Sequence, residues 1–306
     1  MKRALLYSLF LILLTGCGRN SSQPITHSAR YTLKDIAAAP VTPIRNQAKS
    51  GTCWAFGGVS LLESEAIRTR RCTLDLSEMW VVRHAYFEKA VKYVRTRGNV
   101  SFDQGGEIQD VLHLVSRYGI VPQPLYEGGA ADGAYSHASL AKAMKRLAKK
   151  IVGKRLYETG NWQRLIDEEL DRQMGVRPDR FEVDGAVYTP LSYAAALGFR
   201  PDDYIALTSF THHPFFEPFV LEIPDNWAAH ATVNIPLDSL MQLLDRALRA
   251  GYTAAWDADV SERGFGRRAG LAVLPQQEGR IALPAREIDV DQQLRQQMFD
   301  TQATTD

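Results

Sequence analysis

The sequence predicts an α+β fold, on three observations. Apolar residues recur at helical spacing through most of the first 175 positions, from Trp54, Phe56, Val59 and Leu62 to Trp162, Leu165, Ile166 and Leu170. An Asp-Gly pair, Asp184-Gly185, sits between two short β-prone runs and reads as a hairpin. Residues 252–256 and 271–274 have the apolar, β-rich character of sheet elements, so strands gather late in the chain and helices early.

Taken in order, Lys2 and Arg3 form a basic start, residues 4–14 an apolar run, and Leu14-Thr15-Gly16-Cys17 a lipobox. That run is far shorter than the roughly 20 residues of a spanning helix, so residues 1–17 read as a lipoprotein signal rather than a transmembrane anchor. Residues 18–30, with Ser21, Ser22, Gln23 and Pro24, read as a tether. The expectation is a protein lipidated on Cys17 and held in the cell envelope. Gly18 after the cysteine leans the destination to the outer membrane.

A nucleophile lobe is expected over residues 31–133. Cys53 stands where a turn feeds a helix, and the free N–H groups there stabilise a thiolate, drawing the thiol below its usual pKa of about 8.5. Gln47, six residues earlier, supplies an amide that with the Cys53 backbone N–H can donate to an oxyanion. Ser77 is a plausible N-cap for the next helix, whose stripe is Met79, Val82, Tyr86, Ala90 and Tyr93. Asp103-Gln104-Gly105-Gly106 then leads into a helix carrying Ile108, Val111, Leu112, Val115 and Tyr118, ended by Gly119 and Pro122.

Residues 134–230 read as an insertion. It opens on a helix with Leu140, Ala143, Met144, Leu147 and Ile151 inward and Lys142, Lys145, Arg146, Lys149 and Lys150 outward, a solvated or subunit-contacting face. Thr189-Pro190 starts a short helix that Gly198 stops. His212 and His213 invite a catalytic or metal reading. No metal is expected, because adjacent histidines point differently and no third ligand stands at recognisable spacing. His84, His113, His137 and His230 read as ordinary surface or core histidines. Residues 231–306 open with Pro236 and an amphipathic helix through Leu240, Leu243, Leu244, Ala247 and Leu248, closed by Gly251, before the two expected strands.

Composition narrows the partners. The chain has 306 residues, 45% hydrophobic and 23% charged, enough for a substantial core. A net charge of +1 provides no global field for a polyanion, so no nucleic acid is expected. Cys17, Cys53 and Cys72 have separate explanations, and no disulfide is expected. Cys72 reads as an unpaired thiol in a loop.

Residues 47–56, a glutamine six before a Cys-Trp-Ala-Phe run, resemble the active-site segment of papain-like cysteine peptidases. The absence of a second cysteine before Gly51 points toward the bleomycin hydrolase and aminopeptidase C branch. Leu76-Ser77-Glu78 and residues 118–122 fit it too, and residues 204–219 resemble aminopeptidase C-type proteins of the Bacteroides group. The resemblance implies a two-lobe papain-like fold with a helical insertion and a β-rich second lobe. It implies Cys53 as nucleophile, Gln47 as oxyanion donor, and Gly105, Gly106 and Trp54 as peptide-binding residues. It implies a peptide substrate, no cofactor and a hexamer.

In the family the histidine base and its orienting asparagine follow a segment like residues 250–275. The chain carries neither there, so it is expected to be C-terminally incomplete, with a histidine and an asparagine beyond Asp306. The rival expectation is a non-catalytic peptide-binding lipoprotein. Exopeptidase and endopeptidase action are not separable from these residues.

Overall fold

The computed structural model describes residues 34–129, 135–261, 264–266, 270–274 and 288–301. The expected signal, lipobox and tether, Cys17 included, lie outside the described residues. The chain divides into two units, residues 34–262 with 289–306 and residues 1–33 with 263–288.

The larger unit is built on α1 (Cys53–Arg70) and α2 (Glu78–Arg95). In α1 the residues Trp54, Ala55, Val59, Leu62 and Ala66 are buried, so helical spacing becomes one inward stripe. Gly58 lets this helix approach α3 (Ile108–Tyr118) closely, since a Cβ there would lie 2.5 Å from Val111 Cγ2. Arg71 ends α1 in the left-handed region, its N–H donating to Ile67 O at 3.0 Å. α2 starts as expected at Ser77, whose Oγ accepts from Trp80 N at 3.0 Å and donates to Tyr126 O at 2.6 Å.

α2 is the central helix, buried along most of its length. Its Arg83 is fully buried and reaches two carboxylates of α5 (Trp162–Met174): Asp167 at 3.2 Å and Asp171. α4 (Ala138–Gly153) buries Leu140, Ala141, Met144, Ala148 and Ile151 and leaves Lys142, Lys145, Arg146, Lys149 and Lys150 in solvent. β1 (Phe181–Val183) and β2 (Ala186–Tyr188) form the expected antiparallel hairpin, with Asp184 and Gly185 both at positive φ. α6 (Pro190–Leu197) begins at a Thr189 cap, Ser192 N donating to Thr189 Oγ1 at 3.1 Å, and ends at Gly198. Gly119, φ +73°, closes α3 directly against α6, where a Cβ would lie 2.0 Å from the Pro190 carbonyl carbon. One core runs from Trp54 to Ala194, crossing the boundary expected near residue 134.

A three-stranded sheet follows that periodicity did not reveal. β3 (Leu207–Thr208) pairs parallel with β5 (Ala231–Asn234), which pairs antiparallel with β4 (Pro218–Val220). Buried Asn234 pins the intervening loop: its Nδ2 donates to Phe210 O at 2.8 Å and His213 O at 2.9 Å, and its Oδ1 accepts from Phe210 N at 2.9 Å. α7 (Leu237–Arg249) forms where expected, with Met241 and Leu243 of its apolar face exposed. α8 (Gln292–Asp300), capped by Asp291, returns to the sheet region. There Gln292 Oε1 accepts from Ser209 Oγ at 3.0 Å and Leu237 N at 2.8 Å.

The strand expected over 252–256 is corrected to irregular backbone: alternate residues of that segment are exposed, but among the described residues it pairs with no strand. In the smaller unit, β6 (Phe265–Gly266) pairs antiparallel with β7 (Leu271–Ala272), so the start of the strand expected over 271–274 is present. Among the described residues, no helix is long and apolar enough to cross a membrane.

Candidate active site

The approach to Cys53 is a tight turn held by its own polar groups. Ser50 N and Ser50 Oγ donate to Gln47 O at 3.1 and 2.8 Å, and Gln47 Nε2 donates to Ser50 O at 2.6 Å. The Gln47 amide is thus oriented by the turn preceding the nucleophile, and one of its two N–H groups is committed to Ser50. Thr52 is fully buried, and its carbonyl accepts the first α1 bonds from Ala55 N and Phe56 N. The chain therefore emerges from the core at Cys53, whose residue is exposed.

The Gly-Gly segment lies beside this turn, joined to it by a residue to which sequence reasoning assigned no role. Gln104 Oε1 accepts from Gly51 N at 2.9 Å, and its backbone carbonyl accepts the Trp54 indole N–H at 3.0 Å. Its position immediately before Gly105 is the only sequence signal for it. Both glycines sit where a side chain would meet a neighbour, Gly106 against buried groups and Gly105 against a side-chain carboxylate. A Cβ on Gly105 would lie 2.2 Å from an Asp225 carboxylate oxygen, and one on Gly106 would lie 2.8 Å from Asp110 Oδ2 and 2.9 Å from the Trp54 ring. Trp54 itself is 2% exposed, which corrects its expected role: it holds the Gln104 backbone and cannot present a face to a peptide.

Lys89 supports the same segment from below. It is buried, and its ammonium donates to Asp103 O at 2.9 Å and to Gly105 O, with the Trp227 ring 5.5 Å away. Burial pushes its pKa down to about 8, against the pull of Asp110, Asp225 and Asp103. Trp227 donates its indole N–H to Asp110 Oδ2 at 2.7 Å, and Asn226 staples its own loop through Leu221 O, His230 O and His230 N.

The Cys53 thiol differs from the sequence expectation. Its pKa is raised: the surrounding protein desolvates the thiolate, and the Asp257 carboxylate adds to this. The N–H groups of Trp54 and Cys53 pull the other way, and Asp225 opposes them. The helix-start stabilisation exists but is outweighed. Sequence spacing could not show it, because Asp225 and Asp257 lie about 170 to 200 residues downstream.

Among the described residues, none of the six histidines is hydrogen-bonded to Cys53. His84 donates from Nδ1 to Trp80 O at 2.7 Å and accepts from Arg177 at Nε2, and burial drives its pKa down to about 3. His113 donates to Glu88 at 3.0 Å. His137 lies between Tyr86 and Tyr135, lowered to about 4 by burial. His230 Nε2 stands 3.0 Å from Asp110 Oδ1 without hydrogen-bond alignment, and His212 and His213 face Glu222.

An exposed helix-start cysteine, a glutamine oriented by the turn before it, and a glycine pair whose neighbour Gln104 bonds Gly51 and Trp54 together make a candidate thiol site. Over residues 30–149 the chain matches the model of the papain family cysteine proteases. Aminopeptidase G of Lactobacillus delbrueckii subsp. lactis is 22% identical over 284 residues, covering 79% of this chain and 65% of its own length. Peptidase 1 of Dermatophagoides farinae is 52% identical over 42 residues, 14% of this chain and 13% of the relative. The crystal structure of PepW from Lactobacillus rhamnosis HN001 superposes with a TM-score of 0.56 at 17% identity, over 72% of this chain and 59% of PepW. The fold is papain-like, and the chain spans about two thirds of aminopeptidase G and less of PepW.

Proposed function

We propose that this chain acts as a cysteine peptidase of the aminopeptidase type, hydrolysing peptide bonds through Cys53. The observation that carries the reading is the turn that fixes the Gln47 amide on Ser50 O just ahead of the exposed helix-start Cys53, with Gln104 linking Gly51 and Trp54 on either side of that cysteine to the Gly105-Gly106 segment. The Cys53 thiolate attacks the carbonyl carbon, and the oxyanion is received by the Cys53 N–H and the free Gln47 N–H. The C–N bond breaks, the amine leaves with a proton, and water hydrolyses the acyl-enzyme. A general base must take the thiol proton, and among the described residues no histidine is hydrogen-bonded to Cys53.

Export and lipidation at Cys17, with placement in the cell envelope, belong to the same proposal, supported by the basic start, the short apolar run and the lipobox. A homo-oligomer completes it, supported by the exposed Met241 and Leu243 on α7.

Turnover of free-amine and N-blocked peptidyl amides of a fluorescent leaving group tests the activity. The free-amine substrates should be cleaved, and Cys53→Ser should lower the rate by orders of magnitude. Saturable peptide binding without turnover would instead make this a peptide-binding protein. Cys17→Ser should release the chain from the membrane fraction, and retention there would refute the anchor.

A further inference from the structure

The adjacent histidines do not point apart, and a third ligand does stand beside them. His212 Nε2 lies 3.2 Å from Glu222 Oε2 and His213 Nε2 lies 2.7 Å from Glu222 Oε1, the three ligand atoms all within 4.8 Å of one another. This corrects the geometric reason for expecting no metal: the bends through 211–213 bring both rings round to one carboxylate, nine and ten residues on. We propose that His212, His213 and Glu222 form a binding site for a borderline divalent transition ion, Zn²⁺ foremost, away from the thiol chemistry of Cys53.

The donor set has the right chemistry. Two imidazoles and a carboxylate suit Zn²⁺, Co²⁺ or Ni²⁺, whereas Mg²⁺ and Ca²⁺ take oxygen ligands. Zn–N and Zn–O bonds of about 2.0–2.2 Å in a tetrahedron put neighbouring ligand atoms about 3.3–3.5 Å apart. The observed spacings need only a small outward movement of Glu222, whose side chain is more than half exposed.

The rings are also held in place. His213 stacks on Phe219 at 4.2 Å and 25°, and His212 stacks on Phe299 of α8 at 5.3 Å and 9°. Gln296 of α8 holds the His212 ring, its Oε1 lying 3.2 Å and its Nε2 3.1 Å from Nδ1. Its Oε1 accepts from Thr211 N at 2.6 Å and its Nε2 donates to Asp300 Oδ1 at 2.8 Å, so the oxygen faces the loop. His212 Nδ1 is engaged by the Gln296 amide, and its Nε2 is directed at Glu222, 3.2 Å away. An outer hydrogen bond at the ring nitrogen away from the ligand position is the arrangement by which metal-binding histidines are oriented. Three segments distant in sequence, the 211–213 loop, Glu222 after β4, and α8, would thereby be clamped together. The outer position stays open to solvent for entry.

Equilibrium dialysis of the purified full chain with Zn²⁺ tests the site, using wild type, Cys53→Ala/Cys72→Ala, Glu222→Gln and His212→Ala/His213→Ala. One ion per chain at micromolar free zinc is expected in the wild type and the cysteine variant. Glu222→Gln should weaken binding at least tenfold, and the double histidine variant should abolish it. Co²⁺ on unsubstituted protein guards against a misfolded variant: it should give the visible bands of a nitrogen and oxygen tetrahedral site without thiolate charge transfer, bleached by added Zn²⁺. The proposal is overturned by absence of binding, by binding lost in the cysteine variant, by binding unchanged in the triad variants, or by a thiolate-to-cobalt band.

Discussion

At Cys53 two opposing influences meet, and their balance sets the chemistry available. Helix-start N–H groups favour the thiolate, while desolvation and the carboxylates of Asp257 and Asp225 disfavour it. Alkylation by iodoacetamide followed against pH should therefore give a Cys53 midpoint above that of an ordinary thiol. Asp257→Asn removes the larger of the two carboxylate charges and should move the midpoint down. A midpoint below the ordinary value, or no change in the variant, would contradict this balance. The glycine pair provides a second test at this scale. Gly106→Ala drives a methyl into Trp54 and Asp110, both buried, and should cost about 1–3 kcal/mol in chemical denaturation. Gly105→Ala meets only the exposed Asp225 carboxylate, which can swing aside, so its loss of stability should be clearly smaller. The Cys53, Gln47 and Gly-Gly positions were legible because their local backbone context is written in neighbouring residues. Gln104, Lys89 and Asp257 were not, because each acts across a long stretch of chain.

Among the elements, those with end signals in the sequence formed where those signals placed them. Ser77 starts α2, Thr189-Pro190 starts α6, Gly119 and Gly198 end helices, and Asp184-Gly185 turns a hairpin. The sheet of β3, β5 and β4 was missed because its strands are two to four residues long, too short for alternation to register, and one pairing is parallel. Segment 252–256 erred the other way: β-prone side chains were present, but among the described residues no strand paired with them. The start of α2 carries a pH dependence of its own. Glu78 is buried, and desolvation, aided by Glu63, raises its pKa from 4.5 to about 7. The folded protein keeps this proton up to about pH 7, whereas the unfolded chain releases it near 4.5. Folding stability contributed by Glu78 therefore falls as pH rises through that interval, by at most on the order of 3 kcal/mol. Glu78→Gln should flatten the loss, melting close to wild type at pH 4 and above it at pH 8. Parallel melting curves across that range would contradict the assignment.

For the whole molecule, the papain-like character rests on a helical body in which α2 is surrounded by α1, α3, α4 and α5, with Arg83 bridging to α5 through Asp167 and Asp171. The class was legible from one short stretch, residues 47–56, because a thiol nucleophile needs a fixed backbone turn, and that need constrains several adjacent residues together. The packing of residues 134–230 into the same core as the nucleophile helix was not legible, since amphipathic stripes say that a face is buried but not against what. Cys53 is proposed as a peptide-directed nucleophile. Its most direct test is to treat the chain with a peptidyl epoxide and map the adduct by mass spectrometry, with and without a competing peptide. The account predicts modification on Cys53, little on Cys72, and protection by the peptide; equal labelling of both thiols, or labelling that the peptide does not slow, would contradict it.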